Sequence, residues 1–375
     1  MGDLDVSSVV RSSGPHMNIL LLSRYTRLGA SSRLRTMQYL PALAREGFKV
    51  QVAPFFDDAY LHALYSGQRA KGSKIGYVSQ RIRQMRRHPK PDLIWLEYEA
   101  LPWVPWFIER TLLPRGVPIV SDYDDAVFHR YDKHRSEIVR GILGQKIGQV
   151  MANSSLVMTG NRYLSAYAQR FETSRIETVP TVVDLDLYGV GPRARDVNSP
   201  YVGWIGTPET WQAFANPIHD VLDPLLAEHQ ALFRAVGAGM QPETSGTLEI
   251  LPWTEGTEVS SIQSMDIGVM PLPNTDWARG KCGYKLIQYM ACGLPVVASP
   301  VGVNSEIVEH GVNGFLAETD EEWRSAIETL LADADLRRRM GTAGRKKVEE
   351  HYSLQVWGPR VAQMLHRVAE EGRRG

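Results

Sequence analysis

Cysteine is almost missing from this 375-residue chain: Cys282 and Cys292 are its only two. That excludes a disulfide-stapled scaffold and fits a reducing compartment, where both read as small buried apolar side chains. No apolar run reaches the roughly 18 residues that a membrane span needs. Net charge is missing too, since 42 Lys and Arg face 42 Asp and Glu, which argues against nucleic acid as a global partner. Residues 1–16 lack the cationic start and apolar stretch of a signal peptide. Ser12-Ser13-Gly14-Pro15-His16 reads as an expression leader and Met17 as the native start, so the expectation is a cytoplasmic protein. One local absence is informative. Between Asp58 and Asp92 there is no acidic residue, while Arg69, Lys71, Lys74, Arg81, Arg83, Arg86, Arg87 and Lys90 fall in that interval. Such a run either docks on anionic lipid at the inner membrane surface or is a solvated helix face.

What is present is a series of short apolar runs separated by helical stretches. Ile19-Leu20-Leu21-Leu22, Val50-Gln51-Val52, Leu93-Ile94-Trp95-Leu96, Ile119-Val120, Leu156-Val157-Met158 and Ile176-Glu177-Thr178 form a first set. Tyr201-Val202-Gly203-Trp204-Ile205, Leu232-Phe233, Leu248-Glu249-Ile250 and Ile267-Gly268-Val269 form a second. Runs this short, alternating with helices, predict buried parallel strands in two doubly wound α/β domains. The expected boundaries are 17–187 for the first domain, 188–200 for a polar linker and 201–351 for the second, followed by a terminal helix over 352–375.

Ligands of open α/β sheets bind beyond the carboxyl ends of the strands, so the loops there hold the candidate residues. After the first strand come Gly29, Ala30, Ser31, Ser32 and Arg33. Gly29 lets the backbone approach a ligand, either serine can cap a helix predicted over 33–46, and an ordinary strand-to-helix loop fits equally well. Ser121-Asp122-Tyr123-Asp124-Asp125 places three carboxylates just past another strand. Asp124 and Asp125 are favoured as groups that bond an acceptor hydroxyl or take its proton, with His129 behind them. No further ligand cluster accompanies them, so no metal is expected. In the second half Gly206 and Thr207 can offer N–H and hydroxyl groups to phosphate. Trp253 either stacks on a nucleobase or belongs to the core.

The most informative stretch runs from Gly280 to Ser299. It reads as a loop, a buried helix ended by Gly293 and Pro295, and a strand. Lys281 and Lys285, four apart, are expected on one face where the helix begins and its dipole is already positive. Two cations there call for an anion, and a phosphate or diphosphate fits. Gln288, on the same face, can bond sugar hydroxyls.

This stretch resembles the donor-site signature of glycosyltransferase family 4, the retaining GT-B enzymes, through Gln288-Tyr289-Met290-Ala291-Cys292-Gly293-Leu294-Pro295-Val296-Val297-Ala298. Typical members carry two glutamates eight apart; here Gly280 and Gln288 hold those positions. The chain is similar to a branch that writes Gly-Lys-x-x-x-Lys and, earlier, Leu-Pro, Glu-Arg and Asp-x-Asp-Asp-Ala. Most members also place an Arg and a Lys soon after the strand that ends at Gly206, and 207–217 contains neither. The resemblance implies a terminal helix that crosses back to the first domain. It further implies a nucleotide diphosphate sugar as donor, with uridine the commonest base, and a hydroxyl acceptor on a glycan, a lipid-linked glycan or a small molecule. Transfer would proceed with retention, helped by the leaving phosphate and without a cofactor or obligatory metal. A sugar-nucleotide 2-epimerase of the same architecture and a non-catalytic sugar-nucleotide binder are the other expectations.

Overall fold

The computed structural model describes residues 16–65, 73–87, 90–190, 199–239 and 243–374. Positions 1–15 of the expected leader, Arg69 and Lys71 of the basic run, and 191–198 of the expected linker lie outside the described residues. The first sheet contains β1 (Met17–Leu22), β2 (Phe48–Val52), β3 (Leu93–Glu97), β4 (Ile119–Tyr123), β5 (Leu156–Thr159) and β6 (Ile176–Thr178). All its pairings are parallel, in the order β2-β1-β3-β4-β5-β6. The Leu, Ile and Val of β1, β3 and β5 are almost fully buried, as expected for strands covered on both faces.

The second sheet contains β7 (Tyr201–Ile205), β8 (Leu232–Val236), β9 (Glu243–Ser245), β10 (Leu248–Leu251), β11 (Ile267–Met270), β12 (Val296–Ala298) and β13 (Gly314–Leu316). Its order is β13-β12-β11-β7-β8-β10-β9. Only the edge pair β9–β10 is antiparallel. Strand order reverses between β1 and β3 in one sheet and between β7 and β11 in the other, and such switch points open crevices at the carboxyl ends. The helix Leu354–Arg374 buries Val361, Ala362, Leu365, Val368 and Ala369 against Met17, Leu43 and Trp95 of the first sheet's core. The end of the chain therefore packs on its beginning.

The helix expected over 33–46 is not continuous. It forms as Ala30–Arg35, a 3-10 turn Met37–Tyr39 and a second helix Leu40–Arg45. Pro41 cannot donate a backbone hydrogen bond and is tolerated only in a first helical turn, so the helix has to restart just before it. The early start at Ala30 points Ser31, Ser32 and Arg35 toward the ends of β3 and β4.

Candidate active site

The two sheets meet at the loop that precedes the helix Tyr284–Ala291. Asn161, just past β5, donates its side-chain N–H to the carbonyls of Gly280 (3.0 Å) and Lys281 (2.9 Å). Cys282 Sγ donates to the Asp124 carbonyl at 3.0 Å. Gly280 leaves no room for a side chain, since a Cβ there would lie 2.6 Å from Ala126 Cβ and 2.8 Å from its backbone nitrogen. Gly283 adopts φ +66° and caps the helix, a left-handed conformation that costs glycine little.

That cap corrects the expected placement of the two lysines. The helix begins at Tyr284, so Lys281 belongs to the preceding loop and only Lys285 to the first turn. Lys281 Nζ lies 3.1 Å from Asp125 Oδ1. Burial lowers its pKa, but the charge and hydrogen bond of Asp125 outweigh burial and raise it. Lys285 has no carboxylate or hydrogen-bond partner among the described residues; its Nζ sits 5.6 Å from the centre of the Trp204 ring. Burial, and then the like charge of Lys281, push its pKa down to about 8. A poorly solvated ammonium at a helix start, beside a second cation, is stabilised by any anion that enters.

Facing these lysines are the carboxyl ends of β3 and β4. Ser31 Oγ lies 2.7 Å from the Tyr98 hydroxyl, 3.1 Å from Glu97 Oε1 and 3.2 Å from Asp124 Oδ2. The Tyr98 hydroxyl donates to Asp124 Oδ1. Ser32 Oγ donates to Glu97 Oε2 at 2.6 Å and accepts from the Tyr25 N–H at 2.9 Å. Neither serine caps a helix. Gly29 has φ −79° and is the helix N-cap without a side-chain bond. The Tyr25 side chain fills the space where its Cβ would go, so this glycine serves packing rather than approach to a ligand. Asp122, the third carboxylate of the motif, is buried in a pair with Arg35 Nη2 at 2.5 Å.

On the nucleotide side, Gly206 ends β7 with the Trp204 ring against it. The Thr207 hydroxyl and N–H both bond Thr210 Oγ1, each at 3.2 Å. Trp253 donates from Nε1 to Glu258 at 2.9 Å and carries the Arg33 guanidinium over its ring at 5.4 Å. Arg33 is 5% exposed, lies 3.9 Å from both Glu255 and Glu258, and has no partner for Nη1. Gln288 is 2% exposed, and its amide N–H donates to the Tyr188 hydroxyl at 2.7 Å. Tyr188 in turn bonds Glu258 at 2.5 Å. The amide expected to bond sugar hydroxyls is thus engaged by Tyr188 in a buried position.

The structure gathers Lys281, Lys285, Asp124, Asp125 and Ser31 at one junction. His129 stays out of it, with Nδ1 on Asp132 and Nε2 on Tyr163, both at 2.8 Å. Arg81 of the basic run is buried, donating from Nη1 to Ala53 O at 2.6 Å, so that run is not a uniform solvated face. Glu97, Tyr98 and Trp204 were missed. The strand-end rule that selects Asp124 also selects Glu97-Tyr98, while Trp204 reads from sequence only as a core residue.

Two doubly wound domains with ligand-bearing strand ends turned toward each other define the GT-B architecture. Residues 199–333 match the family model described as Glycosyl transferases group 1. D-inositol 3-phosphate glycosyltransferase of Segniliparus rotundus is 24% identical over 229 residues, 52% of this chain and 49% of that protein. Matches to other curated relatives are shorter, so the chain spans about half their length or less. Among solved structures, sucrose-phosphate synthase from Thermosynechococcus elongatus superposes with a TM-score of 0.70 at 17% identity, covering 94% of this chain and 99% of that one. HepE of Anabaena, in complex with UDP and glucose, gives 0.67 at 18% identity, covering 94% and 100%. No helix among the described residues is long and apolar enough to cross a membrane.

Proposed function

We propose that this protein is a retaining glycosyltransferase of the family 4 type that moves a sugar from a nucleotide diphosphate sugar to a hydroxyl acceptor. The observation that carries the reading is Lys285: a cation without a carboxylate at a helix start, next to Lys281, in a cleft between two sheets. A donor diphosphate supplies the missing anion. The bond from the anomeric carbon to the phosphate oxygen breaks with its electron pair going to the diphosphate, where Lys281 and Lys285 stabilise the growing charge. The acceptor oxygen adds on the same face and its proton passes to the departing phosphate, with Asp124 and Asp125 holding the acceptor. Gly206, Thr207 and Arg33 complete the donor enclosure, and Trp253 borders the base. Uridine is the proposed base, supported by the UDP bound in the structurally similar HepE. With lysines meeting the charge, no metal or other cofactor is required. The exposed Arg83, Arg86 and Lys90 extend the proposal to peripheral contact with anionic lipid at the inner face of a cytoplasmic membrane.

A thermal-shift screen of uridine, guanosine, adenosine and thymidine diphosphate sugars tests this. A ligand at 100 times its dissociation constant stabilises by about 2.7 kcal/mol. The uridine set is expected to respond, and anomeric configuration in the product, read by NMR, to match that of the donor. A flat response to every sugar nucleotide refutes the reading.

A further inference from the structure

Three hydroxyls, those of Ser31, Ser32 and Tyr98, meet two carboxylates, Glu97 and Asp124, at the acceptor side of the cleft. Tyr98 commits its hydrogen to Asp124. The single Ser31 hydrogen is contested among the Tyr98 hydroxyl at 2.7 Å, Glu97 Oε1 at 3.1 Å and Asp124 Oδ2 at 3.2 Å. The other Glu97 oxygen is already filled, by Ser32 Oγ at 2.6 Å and the Arg24 N–H at 2.9 Å. With both acids ionised, two negative charges share one hydrogen in a buried cluster, which is costly. One added proton on Glu97 Oε1 resolves it: Glu97 donates to Ser31, Ser31 donates to the Tyr98 hydroxyl and Tyr98 donates to Asp124, so every hydroxyl both gives and receives. Tyr98 holds its ring against Asp124 from a backbone φ of +63°. A non-glycine residue is kept in that region only where its surroundings enforce it, often at functional sites.

We propose that Glu97 is a positioning residue for the acceptor: by holding a proton it turns the Ser31 hydroxyl onto Tyr98, whose own hydrogen goes to Asp124, and so fixes the state in which Asp124 meets the acceptor hydroxyl. This rests on the transferase reading above. The other charges around Glu97 are committed elsewhere. Arg81, from the helix Lys74–Arg87, is tied to backbone carbonyls. Asp122 pairs with Arg35, Asp125 with Lys281 and Glu99 with Lys146, and the Arg24 guanidinium lies over the Tyr98 ring at 6.0 Å. Burial pushes the Glu97 pKa up to about 7 and the charge of Asp124 adds to it, against the hydrogen bonds from Ser32, Arg24 N–H and Ser31. The proton is therefore present below pH 7 and lost above it.

Glu97→Gln is the informative variant. Its amide N–H can donate to Ser31 while its carbonyl accepts from Ser32 and Arg24, so it copies the protonated acid at every pH. In the full-length protein, infrared difference spectra between pH 5 and 9 are expected to contain a protonated-carboxyl band with a midpoint near 7 that Glu97→Gln lacks. At saturating donor, kcat/KM for the acceptor is expected to fall about tenfold per pH unit above 7 in the parent and to stay level in Glu97→Gln up to pH 8. Ser31→Ala, which cuts the connection, is expected to keep the band and lose acceptor kcat/KM at every pH. One shared pH profile for parent and Glu97→Gln, or no carboxyl titrating above pH 6, overturns the role of Glu97 alone. A protein that turns over no acceptor overturns the transferase reading, and the acceptor role with it.

Discussion

Lys281 Nζ reaches Asp125 at 3.1 Å across the junction of the two sheets, whereas Lys285, four residues on, lies over the ring of Trp204 and has no carboxylate within bonding distance among the described residues. The two cations therefore divide the work. One is paired with a carboxylate and fastens the loop that carries it to the first domain while keeping its charge; the other remains electrostatically open.

This division predicts a split between function and stability. Lys285→Met should lower turnover by about 10²–10³, the scale for losing one preorganised donor. It should leave the melting temperature unchanged or higher, because it removes a half-buried cation that has no carboxylate partner among the described residues. Steady-state kinetics and calorimetry on one preparation check both halves. Turnover within threefold of the parent, or a large loss of stability, contradicts the assignment.

The same lysine sets an alkaline limit. Its pKa is lowered to about 8 in the free protein, so the ammonium is present below pH 8 and lost as pH rises through it. Donor kcat/KM should be level up to about pH 7.5 and fall about tenfold per unit well above 8. A bound diphosphate favours the charged form, so the same limb in kcat should move to higher pH. A pH profile of both constants at saturating acceptor is the measurement.

Much of this arrangement was legible in the sequence, for identifiable reasons. Short apolar runs fixed the parallel strands, and the strand-end rule led to Ser31, Asp124 and Asp125, which the structure places against Lys281. What stayed hidden depends on local geometry. A left-handed Gly283 sets the helix start, which leaves Lys281 in the loop, and the Tyr188 hydroxyl that engages Gln288 lies 100 residues away in sequence. Side-chain patterns cannot reveal that Gly29 and Gly280 are glycines because Tyr25 and Ala126 occupy the adjoining space. Pairings such as Asp122 with Arg35 join residues 87 apart in sequence, beyond the reach of any periodicity.

Gly280 gives a prediction that runs against the family pattern. Restoring the common glutamate, Gly280→Glu, would press a Cβ within 2.6 Å of Ala126 Cβ and crowd the Asp124-Asp125 turn. Overpacking of this kind costs about 1–3 kcal/mol, and turnover should drop with it. Urea unfolding and a single-donor assay check this; a more active variant would mean that the first domain gives way at this contact.

Lys146 stabilises the loop that presents Tyr98. Its ammonium is fully buried, 2.6 Å from Glu99 and 3.0 Å from Glu109, and donates to the Leu101 carbonyl at 2.5 Å. Glu109 accepts the Ala100 and Leu101 N–H groups, and Glu99 accepts the Tyr131 hydroxyl. One cation thus ties together a segment in which Tyr98 and Trp103 both have positive φ. Lys146→Met leaves two buried carboxylates facing each other and should cost about 3–5 kcal/mol in urea unfolding. Burial already raises the Glu109 pKa, with the Lys146 charge holding it down. Without that charge Glu109 protonates more readily, so the loss should be smaller at pH 5 than at pH 8. Because the same loop aims Tyr98 at Asp124, acceptor KM should rise while the donor response in a thermal-shift assay persists. A variant as stable as the parent at pH 8 would show that the loop holds its shape without the ion cluster.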